Sequence, residues 1–244
     1  MDRKARGVTR LAWFAACALC LNARAQESTL LTATPAALFP GEEAAALAKT
    51  LPADHAVHFR VRAPENPGAS GVLVFVSPRD SGEPPAQWLS VLEQKRLLWI
   101  AADGFGNERP TAGRMLAAVM ALKLVQQKYD VDARRAYVAG MSGGGRVASK
   151  VITHFPQLFA GAFCIVGADF WMPTDTKLAA LVASRRYVFL TGTEDFNRHE
   201  LQAVQKRYLG AGVSQVLLID APGFGHELAS PEQLARAIDF LDAR

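Results

Sequence analysis

The chain of 244 residues is half hydrophobic and one-fifth charged, enough for one sizeable α/β domain and too little for two. Its formal charge of +4 is concentrated at the start: residues 1–25 hold five of the 27 basic side chains and one of the 23 acidic ones, which leaves 22 of each in the remainder. A near-neutral remainder excludes any nucleic-acid or anionic-membrane partner argued from basicity.

The first residues join a basic stretch (Arg3, Lys4, Arg6, Arg10) to an apolar run over 11–21 and then to Ala23-Arg24-Ala25. The run is about half of the ~20 residues that a membrane-spanning helix needs. A secretory signal peptide cleaved after Ala25 is therefore expected rather than a retained anchor, with the mature protein secreted or periplasmic and without a stable membrane span. Lipoprotein processing at Cys17 would shorten an already short apolar run. Cys17 and Cys20 leave with the leader, so no internal disulfide is expected and the core must hold the exported protein together. Cys164 remains, inside Ala162-Phe163-Cys164-Ile165-Val166, and reads as a small buried apolar residue rather than a reactive thiol.

Residues 26–54 are rich in Ala, Thr and Pro and read as an N-terminal arm, with a short helix over 42–51. Residues 55–62 alternate Val57, Phe59 and Val61 with His58, Arg60 and Arg62, the period of a strand with one wet face. A turn over 63–68 follows. From 71 onward uninterrupted apolar strands alternate with amphipathic segments. Strands are predicted over 71–76, 97–102, 136–140, 162–166, 187–190 and 215–219, and helices over 87–96, 111–128, 144–154, 177–183, 198–209 and 232–241. Continuous apolarity means that both faces of these strands are covered, and strict alternation with helices predicts a mostly parallel sheet with right-handed crossovers. No internal repeat interrupts the pattern.

One stretch carries chemistry. The strand over 136–140 runs into Gly140-Met141-Ser142-Gly143-Gly144 and directly into a helix, the pattern of a nucleophile elbow, in which the chain folds back so sharply that a Cβ beside the serine would collide with neighbouring backbone. In a parallel sheet, functional groups gather beyond the carboxyl ends of the strands. Asp195 lies in the loop after the strand over 187–190, and His226 in the loop after 215–219. Ser142, Asp195 and His226 thus follow in the order and at the strand ends that a serine nucleophile, its orienting carboxylate and its imidazole base require. Gly143, the residue after the serine, offers a backbone N–H to a tetrahedral oxyanion. Glu194 and Asp169 compete with Asp195 for the carboxylate role. His154 and His199 fall in helices and His55 and His58 precede the sheet, so His226 has little competition; a satisfied loop histidine is its bland alternative.

From about Gly71 onward the chain resembles an α/β-hydrolase, and within that superfamily the secreted esterases that act as poly(3-hydroxybutyrate) depolymerases or as feruloyl and acetyl xylan esterases. Gly140-Met141-Ser142-Gly143-Gly144, Gly192-Thr193-Glu194-Asp195 and Gly225-His226 carry the resemblance. It implies an α/β-hydrolase domain over 55–244 that hydrolyses carboxylic esters through an acyl-enzyme with no cofactor, and no metal is expected. Only 20 residues separate the strands over 162–166 and 187–190, too few for a large cap, so an open site that takes small-molecule or polymer-linked esters is expected. A peptidase or amidase on the same scaffold, or a non-catalytic hydrolase-fold binding protein, is the alternative. The chain departs from these esterases at Ser77-Pro78-Arg79-Asp80, where they usually carry a His-Gly pair. Pro78 has no N–H to donate, so the second oxyanion donor falls to Ser77 or Arg79, with Arg79 favoured. Phe170, Trp171 and Asn107, each beyond a strand's carboxyl end, are the expected substrate-pocket residues.

Overall fold

The computed structural model describes residues 28–65 and 68–243. The leader 1–25 and its cleavage site lie outside the described residues. Among those described, no helix is long and apolar enough to cross a membrane.

Among the described residues eight strands form one sheet in the order β1-β2-β4-β3-β5-β6-β7-β8. They are β1 (Thr29–Ala33), β2 (Val57–Arg62), β3 (Ser70–Val76), β4 (Leu97–Ala102), β5 (Val131–Met141), β6 (Gly161–Ile165), β7 (Arg186–Gly192) and β8 (Val216–Ala221). The β1–β2 and β2–β4 pairs are antiparallel and every pair from β4 to β8 is parallel. The α helices are α1 (Pro35–Leu38), α2 (Gly41–Leu47), α3 (Leu89–Gln94), α4 (Thr111–Lys128), α5 (Gly143–His154), α6 (Thr176–Ala183), α7 (Arg198–Gly210) and α8 (Pro231–Asp242). This is the α/β architecture that the alternating pattern predicts, and the described residues hold no large insertion between strands.

The continuous apolar strands feed two cores at once. In β3, Val72, Val74 and Val76 pack into the cluster under α4, α5 and α7, while Leu73 and Phe75 pack into the one under α3 and α8. Successive side chains of a strand point to opposite faces. Both sets are buried because both faces are covered. Cys164 is fully buried in the first cluster, and that burial pushes its thiol up from its ordinary range.

Three boundaries differ from the sequence reading. Residues 29–33 of the arm form the edge strand β1, paired with β2 through Leu31 opposite Phe59, so the arm is part of the sheet rather than an appendage to it. Its Thr-Leu-Leu-Thr-Ala sequence is exposed along most of its length, and an edge strand with so little burial leaves no clean alternation to read. Strand β5 begins five residues early, at Val131, because Asp132, Arg134 and Arg135 continue the strand past the buried sheet, with a register shift against β3 between Ser70 and Val72. Helix α3 is short. A 3-10 turn (Ala86–Trp88) precedes it, and Arg96, at φ 50°, turns the chain into β4.

Candidate active site

Ser142 stands where β5 gives way to α5, with φ 55° and ψ −123°. A non-glycine residue there is strained, and the surroundings hold it. Its N–H donates to the Ile165 carbonyl at 2.8 Å, and the turn is clamped by backbone: a Cβ on Gly140 would lie 2.3 Å from the Gly144 carbonyl oxygen, and one on Gly144 would lie 1.9 Å from that of Val76. Gly143 opens α5, and the first N–H groups of a helix have no acceptor within it.

The structure brings the side chains of Ser142, His226 and Asp195 together from three strand ends. His226 Nε2 is 2.8 Å from Ser142 Oγ, and Nδ1 is 2.9 Å from Asp195 Oδ1. An ionised carboxylate only accepts hydrogen bonds, which assigns the Nδ1 proton to the bond with Asp195 and leaves Nε2 to accept from the serine hydroxyl. The Asp195 side chain is fully buried and both of its oxygens accept hydrogen bonds. Thr191 Oγ1 donates to Oδ2 at 2.6 Å and the Asn197 N–H donates to Oδ1 at 3.1 Å. Asn197 Nδ2 in turn donates to the Val166 carbonyl, tying this loop to the end of β6.

The competing carboxylates are elsewhere. Asp169 is paired with Arg146 at 3.1 Å and Lys150 at 2.5 Å, and Glu194 is exposed, its backbone N–H donating to the Phe224 carbonyl. Neither is hydrogen-bonded to His226.

A cleft of about 430 Å³ opens beside His226, lined by Phe75, Ser77, Pro78, Arg79, Met141 and Leu228 among others. The facing loop therefore borders the candidate site, as expected. The Arg79 N–H, however, donates to Ser77 Oγ at 3.0 Å, so the donor expected to serve an oxyanion is engaged in a turn with its own loop. Asn107, expected in the pocket, is not among the residues that line the cleft but lies against Gly143: its Oδ1 would be 2.3 Å from a Cβ there, and its N–H donates to the Pro78 carbonyl at 3.0 Å. Phe170 and Trp171 do not line this cleft. They line a separate cavity of about 560 Å³ with Met115, His154, Glu200 and Arg207, on the sheet face covered by α4, α5 and α7. Trp171 stacks on His154 at 4.2 Å there, and Phe170 carries Arg207 over its ring. Position beyond a strand end was the right side of the sheet for these two residues but the wrong face.

Sequence reasoning missed three neighbours. Phe196 stacks on His226, Thr191 completes Asp195, and Arg114, buried in α4, donates to carbonyls around the elbow. Burial lowers the pKa of Arg114 from its ordinary value. The only available signal was that Arg114 is the sole charge between residues 111 and 122 of an otherwise apolar helix. Among the described residues no cluster of ligating side chains could hold a metal ion.

Comparison with known proteins agrees with this architecture. The profile of the prolyl oligopeptidase family, peptidase family S9, matches residues 116–208. No curated protein matches the sequence. Among solved structures, a thermophilic carboxylesterase cloned from a metagenomic library is similar at a TM-score of 0.61 and 15% identity, over 77% of this chain and 84% of that one. The S-formylglutathione hydrolase of Staphylococcus aureus is similar at 0.61 and 14%, over 88% and 98%, and a ferulic acid esterase at 0.61 and 17%, over 88% and 98%. The chain has the α/β-hydrolase fold. Its likeness extends across several kinds of hydrolase and singles out no one group of esterases.

Proposed function

We propose that this protein is an exported serine hydrolase that cleaves carboxylic esters through an acyl-enzyme. The observation that carries the reading is the unbroken chain from Ser142 Oγ through the His226 imidazole to the buried Asp195 carboxylate, at 2.8 and 2.9 Å. A serine hydroxyl is a poor nucleophile until an imidazole takes its proton. Here His226 Nε2 takes the proton as Oγ attacks the ester carbonyl, and Asp195 holds the ring in one tautomer and stabilises the imidazolium. The tetrahedral oxyanion forms against the Gly143 N–H. His226 then returns the proton to the departing alcohol, and a water activated by the same imidazole releases the acid from Ser142.

Export rests on the leader at 1–25, and the absence of a large cap among the described residues favours small-molecule or polymer-linked esters reaching the cleft from solvent. A peptidase or amidase reading draws support from the prolyl oligopeptidase profile over 116–208. It needs the same three residues and differs in how the leaving group is protonated. A non-catalytic reading draws support from Pro78 and from the engaged Arg79 N–H.

A fluorophosphonate probe, p-nitrophenyl acetate and peptide anilides separate these readings. An esterase gives a Ser142 adduct that His226→Ala abolishes, together with turnover of the acetate. Turnover of anilides in preference to the acetate would favour the peptidase, and no adduct on folded protein would favour the binding protein.

A further inference from the structure

Arg114 lies in the first turn of α4 and is only 5% exposed. Its guanidinium donates to three carbonyls: Nε to Phe105 at 3.1 Å, Nη1 to Gly143 at 3.4 Å and Nη2 to Ser77 at 2.9 Å. Phe105 follows β4, Ser77 follows β3 and Gly143 follows β5, and these three strands are consecutive in the sheet. One planar fork therefore joins the carboxyl ends of three neighbouring strands, two of which carry the nucleophile turn and the loop facing it.

Two features of the chain make this fork matter. The Ser77–Pro78 peptide has no N–H, so the facing loop lacks one backbone donor with which it could be tied down. Among the described residues the guanidinium also has no carboxylate partner: the acceptors it meets are carbonyls, and burial drives its lowered pKa. A buried cation without a counter-charge is costly in the ground state. An oxyanion held by the Gly143 N–H would develop its charge against the same residue whose carbonyl Nη1 reaches at 3.4 Å, which is the condition for a group that stabilises a transition state more than a bound substrate.

We propose that Arg114 is a positioning residue for ester hydrolysis: it fixes the gap between Gly143 and the Ser77–Arg79 loop and supplies an unpaired positive charge to the region where the oxyanion forms. This rests on the reading of Ser142 as the nucleophile of an acyl-enzyme. Lysine cannot replace Arg114, because an ammonium is a point donor and does not span three carbonyls in one plane.

The test compares wild type, Arg114→Ala and Arg114→Lys on p-nitrophenyl acetate, with melting temperatures and with guanidinium added at concentrations far below denaturing ones. Both variants are expected to lose about 10- to 100-fold in kcat, with KM changed less than about threefold, the pattern of an interaction made mainly in the transition state. Added guanidinium should restore part of the kcat of Arg114→Ala and none of that of Arg114→Lys, whose side chain occupies the site. A folded Arg114→Ala with kcat within about threefold of wild type overturns the proposal, as does a loss confined to KM. A kcat loss that guanidinium leaves unmoved while the melting temperature falls assigns Arg114 to stability alone, and so does failure of both variants to fold. Wild type that neither hydrolyses the ester nor forms a Ser142 adduct overturns the reading of the site itself. Wild-type turnover beside an unimpaired Arg114→Ala overturns only the role of Arg114.

Discussion

The Phe196 ring lies against the face of the His226 imidazole, with centroids 4.1 Å apart and planes 21° from parallel, although Phe196 is 77% exposed. The loop that supplies Asp195 to one edge of the imidazole thus also covers one face, and His226 is limited to rotations that keep Nε2 on Ser142. A stacked aromatic pair contributes about 0.5–1.5 kcal/mol beyond its buried area. Phe196→Ala should therefore lower kcat/KM on p-nitrophenyl acetate about two- to tenfold. Phe196→Tyr should retain wild-type values. An Ala variant as active as wild type would mean that the bonds to Ser142 and Asp195 hold the ring without help.

Thr191 is fully buried in β7, and its hydroxyl fills the Asp195 oxygen that His226 does not use. Thr191→Val keeps the shape and removes the donor. A buried carboxylate missing a charge-assisted hydrogen bond costs about 1.5–3 kcal/mol. The urea midpoint should fall accordingly and turnover should fall with it, whereas Thr191→Ser keeps both. Equal midpoints for the Val and Ser variants would show that the hydroxyl contributes nothing.

How much of this was legible depended on whether a residue's role is local. Strand β3 could be read because five consecutive apolar residues, Val72 to Val76, are needed to serve two cores. Ser142, Asp195 and His226 could be singled out because each follows a recognisable strand, and chain order and strand ends are properties of sequence. Arg114 could not, since a single arginine in a helix ordinarily reads as a solvent-facing residue; its burial follows from carbonyls that converge only when β3, β4 and β5 lie side by side. Thr191 read as the first residue of the loop after the strand over 187–190, whereas it is the buried penultimate residue of β7. Phe170 and Trp171 failed for the same kind of reason: the sequence places them beyond β6, and only the packing of α5 and α7 decides which face they take.

The elbow gives a steric prediction with its own control. Gly144 is packed so closely on Val76 that a Cβ would overlap a carbonyl oxygen that the sheet prevents from moving. Gly144→Ala should lower stability by about 1–3 kcal/mol or prevent folding. Gly113, in α4, has nothing within 4 Å of a Cβ position. Gly113→Ala should raise stability by about 0.4–1 kcal/mol, because alanine reduces the freedom of the unfolded chain. Thermal melts of the two variants should move in opposite directions, and a shift of the same sign in both would contradict this account of the turn.

The elements that flank the Asp195 and His226 loops, α7 and β8, are joined by an ion pair, and that pair predicts how the protein responds to acid. Arg198, at the start of α7, donates to both oxygens of Asp220 in β8 at 2.9–3.1 Å, and Gln202 adds a third donor at 3.0 Å. The hydrogen bonds from Arg198 hold the Asp220 carboxyl below its ordinary value of 3.8. A carboxyl whose pKa is lower in the folded than in the unfolded state contributes its full stabilisation above the unfolded value and loses it as pH falls through the folded one. Both side chains are partly exposed, so solvent screening keeps the contribution small. The melting-temperature difference between wild type and Asp220→Asn should therefore be constant from about pH 7 to about pH 5 and shrink as pH falls below the ordinary carboxylate value. A difference that widens on acidification would mean that Asp220 is stabilised in its protonated form, opposite to what its three donors require.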